Sequence, residues 1–266
     1  MEFEFEVTHG GVTLHGTVRG PEGAEPVLLV HGACVDEGFF AAAADVLARR
    51  YRVATYDRRG YGRSTLPADA DCSVAAQATD AAAVVAAVLG GGPVHLVAHS
   101  GGCVMAMELA ATQPGLVRRL VLDEPLFYDC CPEDGTFAAT SRRVRTALEQ
   151  GKYSLALHLF MTTLGPADPR SQAPAQPTER EQANWDHFIR HEYLALSTYV
   201  PDYGAVGRAD AVVLLSEMDH GAQYPECATE LARRIGAPLL HVPGTHNFPS
   251  DLPEEFARVV AGTLAL

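Results

Sequence analysis

Ser100 lies in the run VAHSGG, residues 97–102, with Ala98 two positions before it and Gly102 two positions after. An apolar strand-like run leads into it, and a helical pattern starts just beyond. A small-x-Ser-x-small turn of this kind is too tight for bulky flanks. It strains the serine backbone and projects the hydroxyl, where it can act as a nucleophile. A hydroxyl is a weak nucleophile until a base takes its proton, and histidine titrates in a suitable range. His246, within VPGTHNFPSDLPEEF (residues 242–256), follows a short strand and precedes the last helix. His220 and His241 are rivals. His220 reads as a loop residue, and His241 sits inside a strand run, facing packing or solvent. The chemistry open to such a pair is attack on a carbonyl.

A histidine used this way needs a carboxylate to orient it and stabilise its cation. Glu124 follows the apolar run in LVLDEP, and Asp219 follows the one in VVLLSEMD. Asp123 is adjacent to Glu124, but strand alternation sends it to the opposite side. Two further segments carry chemical residues. In VLLVHGA, residues 27–33, Gly32 permits close backbone approach and His31 reads as a loop-holding residue. In YDRRGYGRS, residues 56–64, a Gly-rich loop carries two arginines. No helix with Lys-Ser/Thr follows, so a phosphate loop is excluded and a structural role is expected.

The elements that must position these residues follow from the hydrophobic pattern. Phe3, Phe5 and Val7 alternate with glutamates, and Val12, Leu14 and Val18 follow a His-Gly-Gly turn, which predicts an antiparallel hairpin. After it come continuous apolar runs at 27–30, 53–55, 94–97, 120–122 and 212–215. Runs without alternation predict strands buried on both faces, as in a parallel sheet. Ala-rich helical stretches lie between them at 39–50, 74–89 and 102–112, with Ser73 placed to cap the second. The alternation predicts a sheet with helices on both faces. It stops at Pro125. Residues 126–208 read as helices and polar loops, with an exposed loop at 165–177, and the rhythm resumes at Val212.

Composition limits the partners. The chain has 266 residues, enough for one large domain with an insertion. Its 20 basic against 33 acidic residues give a formal charge of -13. That field repels phosphate backbones and anionic bilayers, so neither nucleic acid nor membrane is an expected partner. Six cysteines without paired spacing are too few for a disulfide scaffold in a chain of this length. The beginning, MEFEFEVTHG, shows no signal-peptide pattern, and a cytoplasmic location is the expectation. No metal and no cofactor is implied: His191-Glu192 lacks a second histidine at zincin spacing, and adjacent Cys130 and Cys131 make no site.

The hairpin, the His-Gly loop, Asp-x-x-Gly-Tyr-Gly-x-Ser at 57–64, the serine turn, the helical insertion and the late histidine occur in that order. Together they resemble the α/β-hydrolase superfamily, over the whole chain, with Ala98 standing where glycine is usual. The resemblance implies a mostly parallel eight-stranded sheet flanked by helices. It implies a core of residues 1–125 and 209–266 and a helical cap, 126–208, inserted after the sixth strand. It also implies an oxyanion hole from the backbone N–H groups of Ala33 and Gly101. Of the two acids, Asp219 holds the commoner superfamily position, though Ser216 replaces a usual glycine. Glu124 resembles the post-sixth-strand glutamate of haloalkane dehalogenases and zearalenone-type lactonases. Both remain candidates, with Glu124 slightly preferred.

A serine at the turn, instead of the aspartate of dehalogenases and epoxide hydrolases, points to acyl transfer. The substrates so implied are small-molecule esters, lactones or thioesters, or diketones cleaved at carbon–carbon bonds. The alternative is a non-hydrolytic member of the same fold: a cofactor-free oxygenase or lyase, or a small-molecule receptor. Gly32, Leu126, Trp185 and Phe188 are the candidate substrate contacts. Phe127, Tyr128, Tyr193 and Tyr199 lie nearby in sequence. Nothing in the sequence sets an oligomeric state.

Overall fold

The computed structural model describes residues 1–163, 176–218 and 223–265. The chain opens with the antiparallel hairpin β1 (Glu2–His9) and β2 (Val12–Arg19), followed by β3 (Pro26–Val30) and α1 (Ala41–Leu47). Then come β4 (Arg52–Tyr56), α2 (Val74–Val88), β5 (Val94–His99), α3 (Gly102–Thr112) and β6 (Val117–Asp123). The strands form one eight-stranded sheet in the order β1-β2-β4-β3-β5-β6-β7-β8. β1–β2 and β2–β4 pair antiparallel, and every later pair is parallel.

Five helices follow β6: α4 (Thr136–Glu149), α5 (Tyr153–Met161), α6 (Glu179–His187), α7 (Tyr193–Ser197) and α8 (Tyr203–Val206). One turn of π-helix, Phe188–Glu192, joins α6 to α7. The sheet then resumes with β7 (Ala211–Ser216), α9 (Gln223–Ile235), β8 (Leu239–Val242), α10 (Phe248–Asp251) and α11 (Pro253–Leu264). Between β6 and β7 the described residues contain no strand. Most of the expected 165–177 loop lies outside them, as do Asp219 and His220.

The continuous apolar runs are explained by two cores. Along β3, Leu28 and Val30 join the core on one face of the sheet, while Val27 and Leu29 join the other. α2, α3 and α9 cover the first face, and α1 and α11 cover the second. With both faces dry, every residue of β5 is buried, and period-two alternation has no reason to appear. Ser73 caps α2 by accepting from the Ala76 N–H, as expected. The helix expected at 39–50 is shorter. Asp36 caps a 3-10 turn at Glu37–Phe40, and the α-helix ends at Leu47. All six thiols are free. No described helix is long and apolar enough to cross a membrane.

Candidate active site

The parallel register places the chemistry at the carboxyl ends of the strands. β5 pairs with β6 so that Ala98 faces Leu122 and His99 faces Asp123. The next residue on each strand, Ser100 and Glu124, leaves the sheet. Both do so with positive φ, 52° and 51°. The third non-glycine residue with positive φ is Cys34, at 67°, directly after Ala33. All the described non-glycine residues with left-handed backbone therefore border one site, a pattern that marks strain held in place by the surrounding structure.

That strain has visible supports. The Ser100 N–H donates to the Asp123 carbonyl at 2.9 Å, and the Glu124 N–H donates to the Leu214 carbonyl at 3.0 Å. The turn needs its small flanks. A Cβ on Gly102 would sit 2.5 Å from the His31 carbonyl oxygen, and one on Gly32 would sit 2.9 Å from the Ser100 Cβ. Gly32 thus acts by allowing two backbones to approach.

His246 follows β8 and lies between Ser100 and Glu124. Its Nε2 is 3.0 Å from Ser100 Oγ, and its Nδ1 is 3.3 Å from Glu124 Oε2. The Ser216 N–H holds the other oxygen of Glu124, Oε1, at 2.6 Å. Glu124 is wholly buried, and Ser100 and His246 are nearly so. Burial pulls the His246 pKa below its ordinary value, against the hydrogen bond it donates to Glu124, which raises it. The ring is packed between His99 and Tyr224, with centroids 4.6 Å and 4.5 Å away. Asp123 turns away from His246, as strand alternation requires, and meets His99 Nδ1 at 2.8 Å. Burial first, and the neighbouring Glu124 second, push its pKa well up. His241 is exposed on β8 and takes no part.

Above Ser100 lies a cavity of about 430 Å³ including its mouth. Ala33, Ser100 and Gly101 form its floor, and Leu126, Phe137, Phe160, Phe188 and Tyr193 form much of its wall. No described lining residue is charged. Of the candidate substrate contacts, Leu126 and Phe188 line this cavity. Trp185 and Gly32 do not line the cavity. Trp185, on α6, is half-buried against the core, and Gly32 lies beneath the serine. Tyr199 is also elsewhere, with its hydroxyl donating to Glu108 Oε2 on α3 at 2.6 Å. Phe137 and Phe160 were missed because nothing distinguishes them in sequence from packing residues of α4 and α5.

The arginine loop does hold structure, as expected, but it also carries a network that the sequence did not reveal. Arg58 and Glu192 form an ion pair in which both are almost fully buried. The Tyr61 hydroxyl also donates to Glu192, and the Gln77 side-chain amide does so at 3.0 Å. Arg59 is paired with Asp80 at 2.7 Å. His31 holds its loop, with Nε2 accepting from the Arg58 N–H at 3.0 Å and Nδ1 2.8 Å from the Gly32 carbonyl oxygen. Among the described residues no group of histidine, cysteine and carboxylate side chains is arranged to hold a metal. Cys130 and Cys131 are buried near Cys227 in the core.

Comparison with known proteins bears on the family and the fold. The sequence model of the alpha/beta hydrolase family matches residues 27–259. The uncharacterized hydrolase YraK of Bacillus subtilis is 26% identical over 254 residues, covering 93% of this chain and 91% of that one. A thermophilic esterase from Thermogutta terrifontis superposes with a TM-score of 0.76 at 22% identity, covering 99% of this chain and 98% of that one. The enol-lactonase from Burkholderia xenovorans LB400 gives 0.75 at 17%, covering 98% and 100%.

Proposed function

The chain belongs to the alpha/beta hydrolase family, and, taking it as a hydrolase, we propose that it cleaves small neutral esters, lactones or thioesters through an acyl-enzyme on Ser100. The observation that carries this reading is the row Ser100–His246–Glu124 beneath an apolar cavity. Ser100 Oγ attacks the carbonyl carbon while His246 Nε2 takes its proton. The Nδ1–H donates to Glu124, which fixes the tautomer and stabilises the imidazolium that forms. The Ala33 and Gly101 N–H groups receive the oxyanion, each worth roughly 3–4 kcal/mol in the transition state. Collapse expels the alcohol or thiol, protonated by His246. Water then attacks the ester carbon with His246 again as base, and Ser100 is restored.

A pKa below the ordinary imidazole value keeps His246 neutral, which a general base requires. Among the described residues Glu124 is the carboxylate within reach of Nδ1. Asp219 lies outside them. Residues 126–208 serve as a cap, because most of the cavity wall comes from that segment. The apolar wall favours an uncharged acyl group, and a net charge of -13 disfavours anions at longer range. The esterase and enol-lactonase neighbours support an ester or lactone carbonyl as the target.

A fluorophosphonate probe tests the reading. It should label the wild type and leave Ser100→Ala unlabelled. A series of p-nitrophenyl esters should show turnover of neutral acyl chains and little of carboxylate-bearing ones. A wild type that takes no label removes the proposal.

A further inference from the structure

Arg58 has five N–H donors on its guanidinium, and each has a named acceptor. Nε donates to the His31 carbonyl at 3.0 Å. Nη1 donates to Gln77 Oε1 at 2.5 Å and to Glu192 Oε1. Nη2 donates to the Gly32 carbonyl at 2.8 Å and to Glu192 Oε2 at 3.3 Å. The planar fork is thus fixed in two directions at once. One side meets Glu192, at the end of the π-turn between α6 and α7. The other meets two consecutive carbonyls of the loop after β3.

The second of those carbonyls belongs to the Gly32–Ala33 peptide. A peptide unit is planar, so in the trans form the carbonyl and the N–H point opposite ways. Whatever fixes the Gly32 oxygen therefore aims the Ala33 N–H. Two donors fix that oxygen. One is Arg58 Nη2. The other is His31 Nδ1 at 2.8 Å, whose protonated state follows from Nε2 accepting the Arg58 backbone N–H. Ala33 N lies 3.6 Å from the position of a Cβ on Gly101, so this N–H sits beside the other oxyanion donor.

We propose that Glu192 is a positioning residue, which locks the Arg58 guanidinium against the Gly32–Ala33 peptide and so holds the Ala33 N–H toward the oxyanion. The inserted helices thereby complete the oxyanion hole as well as the cavity wall. The inference rests on the serine-hydrolase reading, in which that N–H is used. Without the carboxylate the guanidinium loses acceptors on Nη1 and Nη2. It turns to find others, the Gly32 carbonyl is left with the His31 donor alone, and the peptide gains freedom to rotate. Transition-state stabilisation then falls while the ground-state cavity persists.

One aliquot each of wild type, Glu192→Gln and Ser100→Ala would be titrated with the fluorophosphonate probe, and a separate unlabelled aliquot assayed on p-nitrophenyl butyrate, with the rate expressed per titratable site. Binding of butylboronic acid, which forms a tetrahedral adduct on serine, would be measured alongside. Glu192→Gln should lose roughly ten- to a hundred-fold in kcat, short of the full loss of one oxyanion donor. Its KM should stay within about three-fold, and boronate affinity should fall by a factor similar to that of kcat. A role confined to stability would lower Tm and the number of labelled sites, yet leave kcat per labelled site unchanged. That result overturns the proposal. If Glu192→Gln does not fold, Tyr61→Phe removes only one donor from the same carboxylate. It should lose about three-fold in kcat per site, and an unchanged value again overturns the idea. A wild type that takes no label and turns over nothing removes the serine reading itself, and this inference with it.

Discussion

Two glutamates of the chain, Glu124 and Glu192, are fully buried, and their partners differ. Glu124 meets the His246 imidazole and the Ser216 N–H. Glu192 faces a permanent guanidinium, a phenol and an amide. Burial disfavours the charge of Glu192, but the Arg58 charge and hydrogen bonds outweigh it and hold its pKa below the ordinary carboxylate value. Its charge is thus already balanced in the resting protein. Beside Glu124 an imidazolium forms only when His246 accepts a proton. The same side chain serves as a fixed strut in one place and as a poised counter-ion in the other, and the partner decides which.

The difference predicts opposite responses to substitution. Glu124→Gln should reduce kcat by about 10⁴-fold, because an amide cannot stabilise the imidazolium and can favour the wrong tautomer. Its stability should change by only about 1 kcal/mol, since the amide oxygen can still accept from the Ser216 N–H. Single-turnover kinetics and urea denaturation of one preparation measure both. Asp219→Asn should change kcat little. A loss as large as that of Glu124→Gln would move the acid role to Asp219 and break the comparison.

Glu192→Ala should do the reverse in stability. Removing one partner of a buried pair leaves Arg58 charged and unpaired, which costs about 3–5 kcal/mol. The denaturation midpoint should drop accordingly with m unchanged. Equal stabilities for Glu124→Gln and Glu192→Ala would erase the distinction between strut and counter-ion.

The cavity wall offers a smaller effect. Phe188 lies five residues before Tyr193, and in a continuous α-helix such positions diverge by about 140°. The π-turn changes that rotation, and the two rings pack at 5.7 Å on the same cavity. Phe188→Ala should raise KM for p-nitrophenyl butyrate by about ten-fold, from lost apolar contact, with kcat nearly kept. A fall in kcat with unchanged KM would instead tie Phe188 to the transition state.

These contrasts also explain what the sequence revealed. Ser100, His246 and Glu124 sit at strand ends, and short motifs with small residues and apolar runs announce strand ends. The hairpin, the parallel sheet and the helical insertion were legible for the same reason, since each rests on local periodicity. Arg58 and Glu192 are 134 residues apart, and each alone looks like a solvated charge. Only the folded chain buries both. Trp185 was expected in the cavity because it is large and aromatic. Its helix face could not be read, because positions three apart differ by only about 60° of rotation, and it is Phe188 that lines the cavity.

The smallest predicted effect is a shift in pH dependence, and it separates the two glutamates most directly. His246 must be neutral to accept the serine proton, so kcat/KM should rise with pH along one limb. Burial lowers the His246 pKa, Glu124 raises it through the hydrogen bond, and the neighbouring His99 lowers it further. The net direction is down, so the midpoint should lie below 6.5 and the wild type should keep more than half its activity at that pH. Glu124→Gln removes the raising influence, and its residual activity should titrate at lower pH still. Glu192 pairs with Arg58 and makes no contact with the imidazole, so Glu192→Gln should lower the plateau without moving the midpoint. A midpoint that moves equally in both variants would mean that both carboxylates act on His246, and the strut would then be a second counter-ion.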